Sequence, residues 1–417
     1  MENRLFIRLA ISIPIVNILM DMIMIFFPDL KSQIGILRTS YLLFIILYFI
    51  LQYGLEKTRY NILLLFYLLF ILVMTLQTTD LKESLIDGFL KMSVSFFMIP
   101  VGIQLGKAKN TNIIKSLYFV LVILIINYII SQVYKIGVST YHEDSFYQGG
   151  ASVTAPIIIA AILLVFFNSY NTNRLPYSRF INLFIVSASV FIILISLKRG
   201  AILGFLAGVL IYLLVSSKKV GTVFRLALIA ISLFIFSNEY SDTLQKRIDA
   251  RSTERNEIQN ENRYKETFYV IEELSQSNLY QILFGTEAFN SKSVMKKYFG
   301  RERQLHVDYN ILLHGTGVLG LLFYFYLFYM YGKMAWFINR TAKTFDDVFY
   351  KNLIGENYSL IISLIALSMV MSISGGLQFA SYRVILLFIL GFFLGQMIRL
   401  RNEKMSLLRS IQPEEQS

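Results

Sequence analysis

The chain has 417 residues, 55% of them hydrophobic and only 16% charged, with a net charge of +12. Soluble domains carry roughly 25% charged residues, so a water-soluble globule is excluded. The positive charge invites a nucleic-acid reading, but in a chain this apolar Lys and Arg mark cytoplasmic loops, and no nucleic-acid partner is expected.

Runs of about 20 apolar residues, the length a bilayer core requires, recur from the beginning of the sequence. They predict an all-α integral membrane protein with about twelve transmembrane helices and one large, partly helical external loop. The spans centre on residues 5–27, 36–53, 61–77, 86–105, 113–131, 151–168, 180–197, 200–216, 220–237, 311–332, 355–374 and 380–398. The organisation is then nine spans over 1–237, the loop over 238–310, three spans over 311–398 and a basic tail over 399–417. The first run lacks an A-x-A-like cleavage site and is expected to stay as a span. The fourth is the weakest, because Lys91 sits inside it. Pro14, Pro100 and Pro156 fall within spans, where neighbouring helices can satisfy the freed carbonyls. The 35 Phe and 26 Tyr suit lipid-facing and interfacial positions, and with a single Trp the anchoring falls to Tyr.

The positive-inside rule orients the spans. With a cytoplasmic N-terminus, inside loops hold Arg4, Arg8, Lys57, Arg59, Lys107, Lys109, Lys115, Arg174, Arg179, Lys218, Lys219 and Arg225, followed by Lys333, Arg340, Lys343, Lys351 and Arg399 to Arg409. The short outside loops hold far fewer. Both termini are therefore expected in the cytoplasm and the long loop outside it. The tail from Ile398 to Arg409 is basic and amphipathic, as a juxtamembrane anchor on anionic lipid would be.

Lys198 and Arg199 lie between two spans at the outer surface, where the rule would remove them. They either snorkel to headgroups or bind an anionic group such as a diphosphate. The guanidinium fork of Arg199 suits the second role better. Gly200, Gly204 and Gly208 then recur every four residues and would let another helix approach closely.

Within the loop, Arg247, Arg251 and Arg255 form one stripe of a polar helix. Tyr264, Phe268, Ile271 and Leu274 recur with helical period, predicting an amphipathic helix on the membrane surface or on the bundle. Arg263 opens that helix, where an N-terminus also favours an anion. Leu279 to Phe284 is a short apolar run stopped by Gly285. Then comes His306-Val307-Asp308-Tyr309-Asn310, directly before a span. His306 is either an interfacial ring or a general base that takes a proton near neutrality. Asp308, two residues on, is a candidate to set its tautomer. His314, one turn further, reads as a packing or hydrogen-bonding residue. Three histidines at 142, 306 and 314 offer no metal-ligand spacing, and there is no cysteine. Neither a metal nor another cofactor is expected. Walker, G-x-S-x-G and Rossmann motifs are also missing. An enzyme working outside the cytoplasm would need a donor that is already activated and lipid-linked.

The chain resembles the O-antigen polymerase and O-antigen ligase superfamily of bacterial membrane glycosyltransferases. Three features carry the resemblance. Leu197-Lys198-Arg199-Gly200-Ala201 looks like the family's Ser-Arg-Gly motif, and Arg263 with the segment up to Phe284-Gly285 is similar to its arginine-bearing loop helix. His306-Val307-Asp308-Tyr309 with Gly317-Val318-Leu319-Gly320 looks like its H-N-x-Y-L…G-x-x-G segment. Val307 stands where Asn is usual, Lys198 where a small residue is common, and Thr286-Glu287 where a second glycine follows.

The resemblance implies a GT-C-like fold in the bacterial cytoplasmic membrane and an undecaprenyl-diphosphate-linked oligosaccharide as donor. Its diphosphate would be held by Arg199 and Arg263, with Lys198, Arg251, Asp308, Tyr309 and Asn310 lining the substrate site. His306 would deprotonate the acceptor hydroxyl. Partners would be membrane lipids, a flippase and a chain-length regulator. A repeat-unit polymerase is the leading reading, a ligase passing finished glycan to another acceptor is the second, and a flippase for lipid-linked sugars is the third. A transporter should place ionisable groups near the bilayer midplane, whereas here they gather at one face, Asp21 and Lys91 excepted.

Overall fold

The computed structural model describes residues 3–109, 111–136, 154–196, 198–219, 221–223, 226–227, 245, 262–300, 302, 304–375 and 380–411. Most of the expected ninth span and of the 238–261 segment, His142 and Arg251 lie outside the described residues. Among the described residues the protein is all-helical, with no strand. The main helices are α1 (Arg4–Phe26), α2 (Lys31–Tyr53), α3 (Arg59–Thr75), α4 (Lys91–Lys107), α5 (Ile113–Tyr134), α6 (Ala155–Asn171), α7 (Arg179–Ser196) and α8 (Arg199–Val215). After the loop region come α9 (Asn262–Ser275), α10 (Leu279–Phe284), α11 (Lys292–Phe299), α12 (Asp308–Ala342), α13 (Val348–Ser374) and α14 (Ala380–Ile411).

Seven of these helices are long and apolar enough to cross a membrane, α4 doing so together with its lead-in from Leu81. Four others (α3, α6, α7 and α8) are shorter but equally apolar. At 17 residues, α3, α6 and α8 rise about 25 Å against a hydrocarbon core of about 30 Å.

Local sequence explains where the helices start. The side chain of Asn3 accepts the Leu5 and Phe6 amides, that of Thr58 the Asn61 amide and that of Asn112 the Ile114 amide. These caps satisfy backbone donors that the first turn leaves open. Two helices outrun the apolar runs that predict them. α12 reaches Ala342 and α14 reaches Ile411, and side-chain contacts of their basic residues accompany the polar ends. Lys404 lies 3.6 Å from Asp347, and the Arg340 guanidinium sits 5.4 Å from the Trp336 ring.

Helix α14 is the axis of the bundle and is buried along nearly its whole length from Val384 to Met397. It crosses α4 with backbones in contact. A Cβ on Gly106 would lie 2.0 Å from the Phe392 carbonyl oxygen, and one on Gly391 would lie 2.2 Å from that of Ile99. No side chain fits at either place, so the seam depends on hydrogen at those positions. Helix α8 packs on α13 as its glycine spacing suggests, with Gly204 against Leu367 and Met371.

Contacts between helix ends define two ends of the bundle. At one, Asn3 donates to the Tyr48 hydroxyl (2.7 Å), Lys107 pairs with Glu56, and Arg399 donates to the Ala108 carbonyl (2.5 Å). The start of α1 and the distal half of α14 thus share an end. At the other, Asp21 pairs with Arg38, Tyr280 donates to Gln77 (3.1 Å), and Lys292 reaches Asp80 and Glu83. The two exceptional ionisable residues are each paired locally and with different partners, Asp21 with Arg38 and Lys91 with Asp87 one turn before it.

Candidate functional site

Helices α9, α10 and α11 form a cap over the second end of the bundle. Asn278 and Gln281 close a reciprocal capping box that starts α10. The chain then docks on α12, the Thr286 amide donating to the His314 carbonyl at 2.8 Å. His314 is buried and its Nε2 lies 3.0 Å from the Thr286 hydroxyl. Just beyond, α12 breaks at Gly317, whose φ of 65° is not helical. The turns from Asp308 to Thr316 therefore form a separate short helix facing the cap.

Stacking of Tyr269 on Tyr298, with centroids 4.4 Å apart, ties α9 to α11. Around it lie ionic contacts that hold the cap together. The hydrogen bond from Lys297 keeps the Glu273 carboxylate below its ordinary range. The Glu83 backbone amide does the same for Asp80, and the hydrogen bond to Glu83 raises Lys292. Glu273 and Asp80 thus favour the folded cap at neutral pH, a contribution lost as acid protonates them.

His306 sits at the centre of this arrangement. The Leu305 amide before it donates to the Ser291 hydroxyl at 2.8 Å. Gly375, at the end of α13, presses on its backbone: a Cβ there would lie 1.7 Å from the His306 carbonyl oxygen. The ring is 48% exposed, while the carboxylate beside it, Glu266 of α9, is fully buried. Glu266 Oε2 accepts the His306 amide at 3.0 Å, and Oε1 lies 3.4 Å from the ring Nδ1. A buried acid at Nδ1 stabilises the tautomer that carries its proton there. In that tautomer Nε2 is the acceptor nitrogen of the ring.

The acid facing the Nδ1 of His306 is thus Glu266, and the role expected of Asp308 must be corrected. Asp308 is fully buried and pairs at 3.0 Å with Arg383, itself only 6% exposed. Asp308 turns inward at the first helical residue, and its carboxylate meets the buried Arg383 guanidinium. Among the described residues Arg383 Nη1 has no hydrogen-bond partner, and the rings of Tyr324 and Tyr309 lie nearby, 6.3 Å apart. The Tyr309 hydroxyl donates to the Met369 carbonyl (2.6 Å), and Asn310 Nδ2 donates to the Thr267 hydroxyl (2.9 Å). Both residues join helices, Tyr309 to α13 and Asn310 to α9.

Arg199 is the exposed first residue of α8, and Lys198 precedes it, half-buried, with its amide directed at the Ser196 hydroxyl (3.4 Å). Gly204 packs on Met371, and Arg199 lies one and a half turns beyond it, about 7.5 Å along the axis. This register brings Arg199 level with the end of α13, where Gly375 meets His306. Arg263 begins the α9 helix that carries Glu266, but its side chain lies outside the described residues.

Two residues of this site escaped the sequence reading. Glu266 carried a signal, since it recurs with Val270 and Leu274 at spacings of four and all three are buried. Of the expected apolar stripe, Leu274 is buried, Phe268 and Ile271 are 65% and 54% exposed, as a helix lying on the membrane surface would leave them, and the side chain of Tyr264 lies outside the described residues. Arg383 reads in sequence as an ordinary loop cation. Its only cue is an arginine next to a tyrosine at the head of an apolar run.

No protein-family model matches the chain, and no curated protein matches it. Among the described residues no cluster of His, Asp and Glu has the makings of a metal site.

Proposed function

We propose that the protein is a polysaccharide repeat-unit polymerase of the O-antigen polymerase and ligase kind, working at the outer face of a bacterial cytoplasmic membrane. The observation that carries the reading is the pairing of an exposed histidine with a buried carboxylate, His306 with Glu266, under a cap at one end of a membrane bundle. In the proposed reaction His306 Nε2 takes the proton of an acceptor sugar hydroxyl. The hydroxyl oxygen forms a bond to the anomeric carbon of the donor, and the bond from that carbon to the diphosphate breaks. The electron pair leaves with undecaprenyl diphosphate, and Arg199 and Arg263 offset its charge. Glu266 holds the imidazole and offsets the charge it gains. Asp308, Tyr309 and Asn310 position the loop instead of touching substrate. Nothing in this scheme requires a metal or a nucleotide.

A producing strain lacking the chain, complemented with variants, tests the proposal. His306→Ala should lower polymer formation about 10²–10⁴-fold, the range of a general base. Glu266→Gln should cost at least about tenfold, or about 1.4 kcal/mol of barrier, with membrane levels unchanged. Wild-type polymer from both variants would overturn the mechanism. In the deletion strain, accumulated single lipid-linked repeats are the expected result, and long unattached lipid-linked chains would make the protein a ligase.

A further inference from the structure

The opposite end of the bundle holds a feature that the proposed reaction does not use. An open cavity of about 500 Å³ lies between the start of α5, the connection from α6 to α7 and the distal part of α14. Phe392 and Pro176 form its apolar wall, and two guanidinium groups, Arg174 and Arg399, line it together.

The cations are held by neutral oxygens. Arg174 Nη1 donates to Gln396 Oε1 at 3.3 Å, and Arg399 Nη1 donates to the Ala108 carbonyl at 2.5 Å. Among the described residues no carboxylate pairs with Arg174. The acid nearest Arg399 is Glu403, 3.8 Å from Nε and 30% exposed. Arg399 Nε is buried without a hydrogen-bond partner among the described residues, and the side chain as a whole is 16% exposed. Burial, and then the charge of Arg399, holds Arg174 below its ordinary pKa. Residues 111–114 line the same cavity, so the positive end of the 22-residue helix α5 faces it as well. Two arginines against one partly exposed acid, Glu403 on the far side of Arg399, carry a net positive charge that the protein leaves open.

We propose that this cavity binds a phosphate-bearing anion, with Arg174 and Arg399 forking its oxygens and the first turn of α5 adding its dipole. Basic pockets between membrane helices take lipid headgroups in this way. A lipid phosphate and a soluble phosphate compound share the chemistry. The site lies at the far end of the bundle from His306 and does not depend on the polymerase reading.

The test uses the full chain purified in a neutral detergent. Retained lipid is read by native mass spectrometry after exchange against vesicles of phosphatidylglycerol or phosphatidylcholine. Thermal unfolding is followed with and without inorganic pyrophosphate. Preferential retention of phosphatidylglycerol assigns the anion to a headgroup, and a rise in Tm with pyrophosphate alone assigns it to a soluble ligand. Either supports the proposal. The double variant Arg174→Gln/Arg399→Gln should bind at least about tenfold more weakly, while Arg401→Gln, an equal loss of charge on the same helix outside the cavity, should bind as wild type. Gln396→Glu guards against a double variant that fails to fold. Its carboxylate would occupy the place of the anion beside Arg174, so binding should be lost while the ligand-free Tm rises. The proposal is overturned if Gln396→Glu binds like wild type, if Arg401→Gln weakens binding as much as the double variant, or if neither anion binds the wild-type protein.

Discussion

At the scale of residues, the cap end is organised by two carboxylates with different tasks. Glu266 faces a half-exposed histidine, whereas Asp308 faces a buried arginine. Removing one member of a buried ion pair leaves the other uncompensated, which costs about 3–5 kcal/mol, while replacing both by apolar groups is often neutral. Arg383→Met alone is therefore expected to lower the unfolding free energy by about 3–5 kcal/mol, and Asp308→Leu/Arg383→Met to recover most of that loss. Thermal unfolding in detergent measures both; equal losses in the single and double variants would mean that the pair is not the source. Why His306 was legible in sequence and its partner was not follows from where each lies. A histidine beside a span is conspicuous, but the acid that faces it is 40 residues away and belongs to a different helix. Its only local trace is the period it shares with Val270 and Leu274. In sequence Arg383 reads as one more loop cation, because hydropathy does not tell a loop from the buried head of a helix.

At the scale of elements, apolar runs coincide with helices among the described residues but do not mark where α12 and α14 end. Both continue beyond their runs, and contacts of Lys404 and Arg340 accompany the stretches where hydropathy stops. The seam between α4 and α14 was not legible at all. Gly102 and Gly106 with Gly391 and Gly395 show a spacing of four on each helix, but nothing in the sequence says that the two pairs meet. Because the atoms a Cβ would strike there are backbone, no rotamer change relieves the clash. Gly391→Val is expected to cost more than the roughly 1–3 kcal/mol of ordinary overpacking. Gly355, also helical, meets nothing closer than an Asn339 side-chain oxygen at 3.8 Å. Gly355→Ala should be neutral or add about 0.5–1 kcal/mol through helix propensity. If both variants unfold at the wild-type temperature, the two helices do not cross on backbone contact.

At the scale of the whole molecule, the question is which end of the bundle meets which compartment. The structure separates a capped end carrying His306 from an end where Arg174, Arg399 and Lys404 gather, and from the charge asymmetry of the loops we propose that the second faces the cytoplasm. The proposed chemistry depends on that assignment, since an activated lipid-linked donor is needed only where nucleotide sugars are out of reach. The chain contains no cysteine, so single thiols can report accessibility without a background. Lys296, whose side chain is 67% exposed on the cap, and Glu403, 30% exposed on α14, are suitable reporters. In intact cells treated with a membrane-impermeant maleimide, Lys296→Cys should label, after outer-membrane permeabilisation if the host has one, and Glu403→Cys should label only once the cells are lysed. The reverse pattern would put His306 and Glu266 in the cytoplasm. The argument for a lipid-linked donor would then fail, although the buried pairs and the glycine seam would stand unchanged. The Arg174–Arg399 cavity would in that case open away from the cytoplasm, where soluble phosphate compounds are scarcer, and its ligand would have to be a headgroup of the outer leaflet.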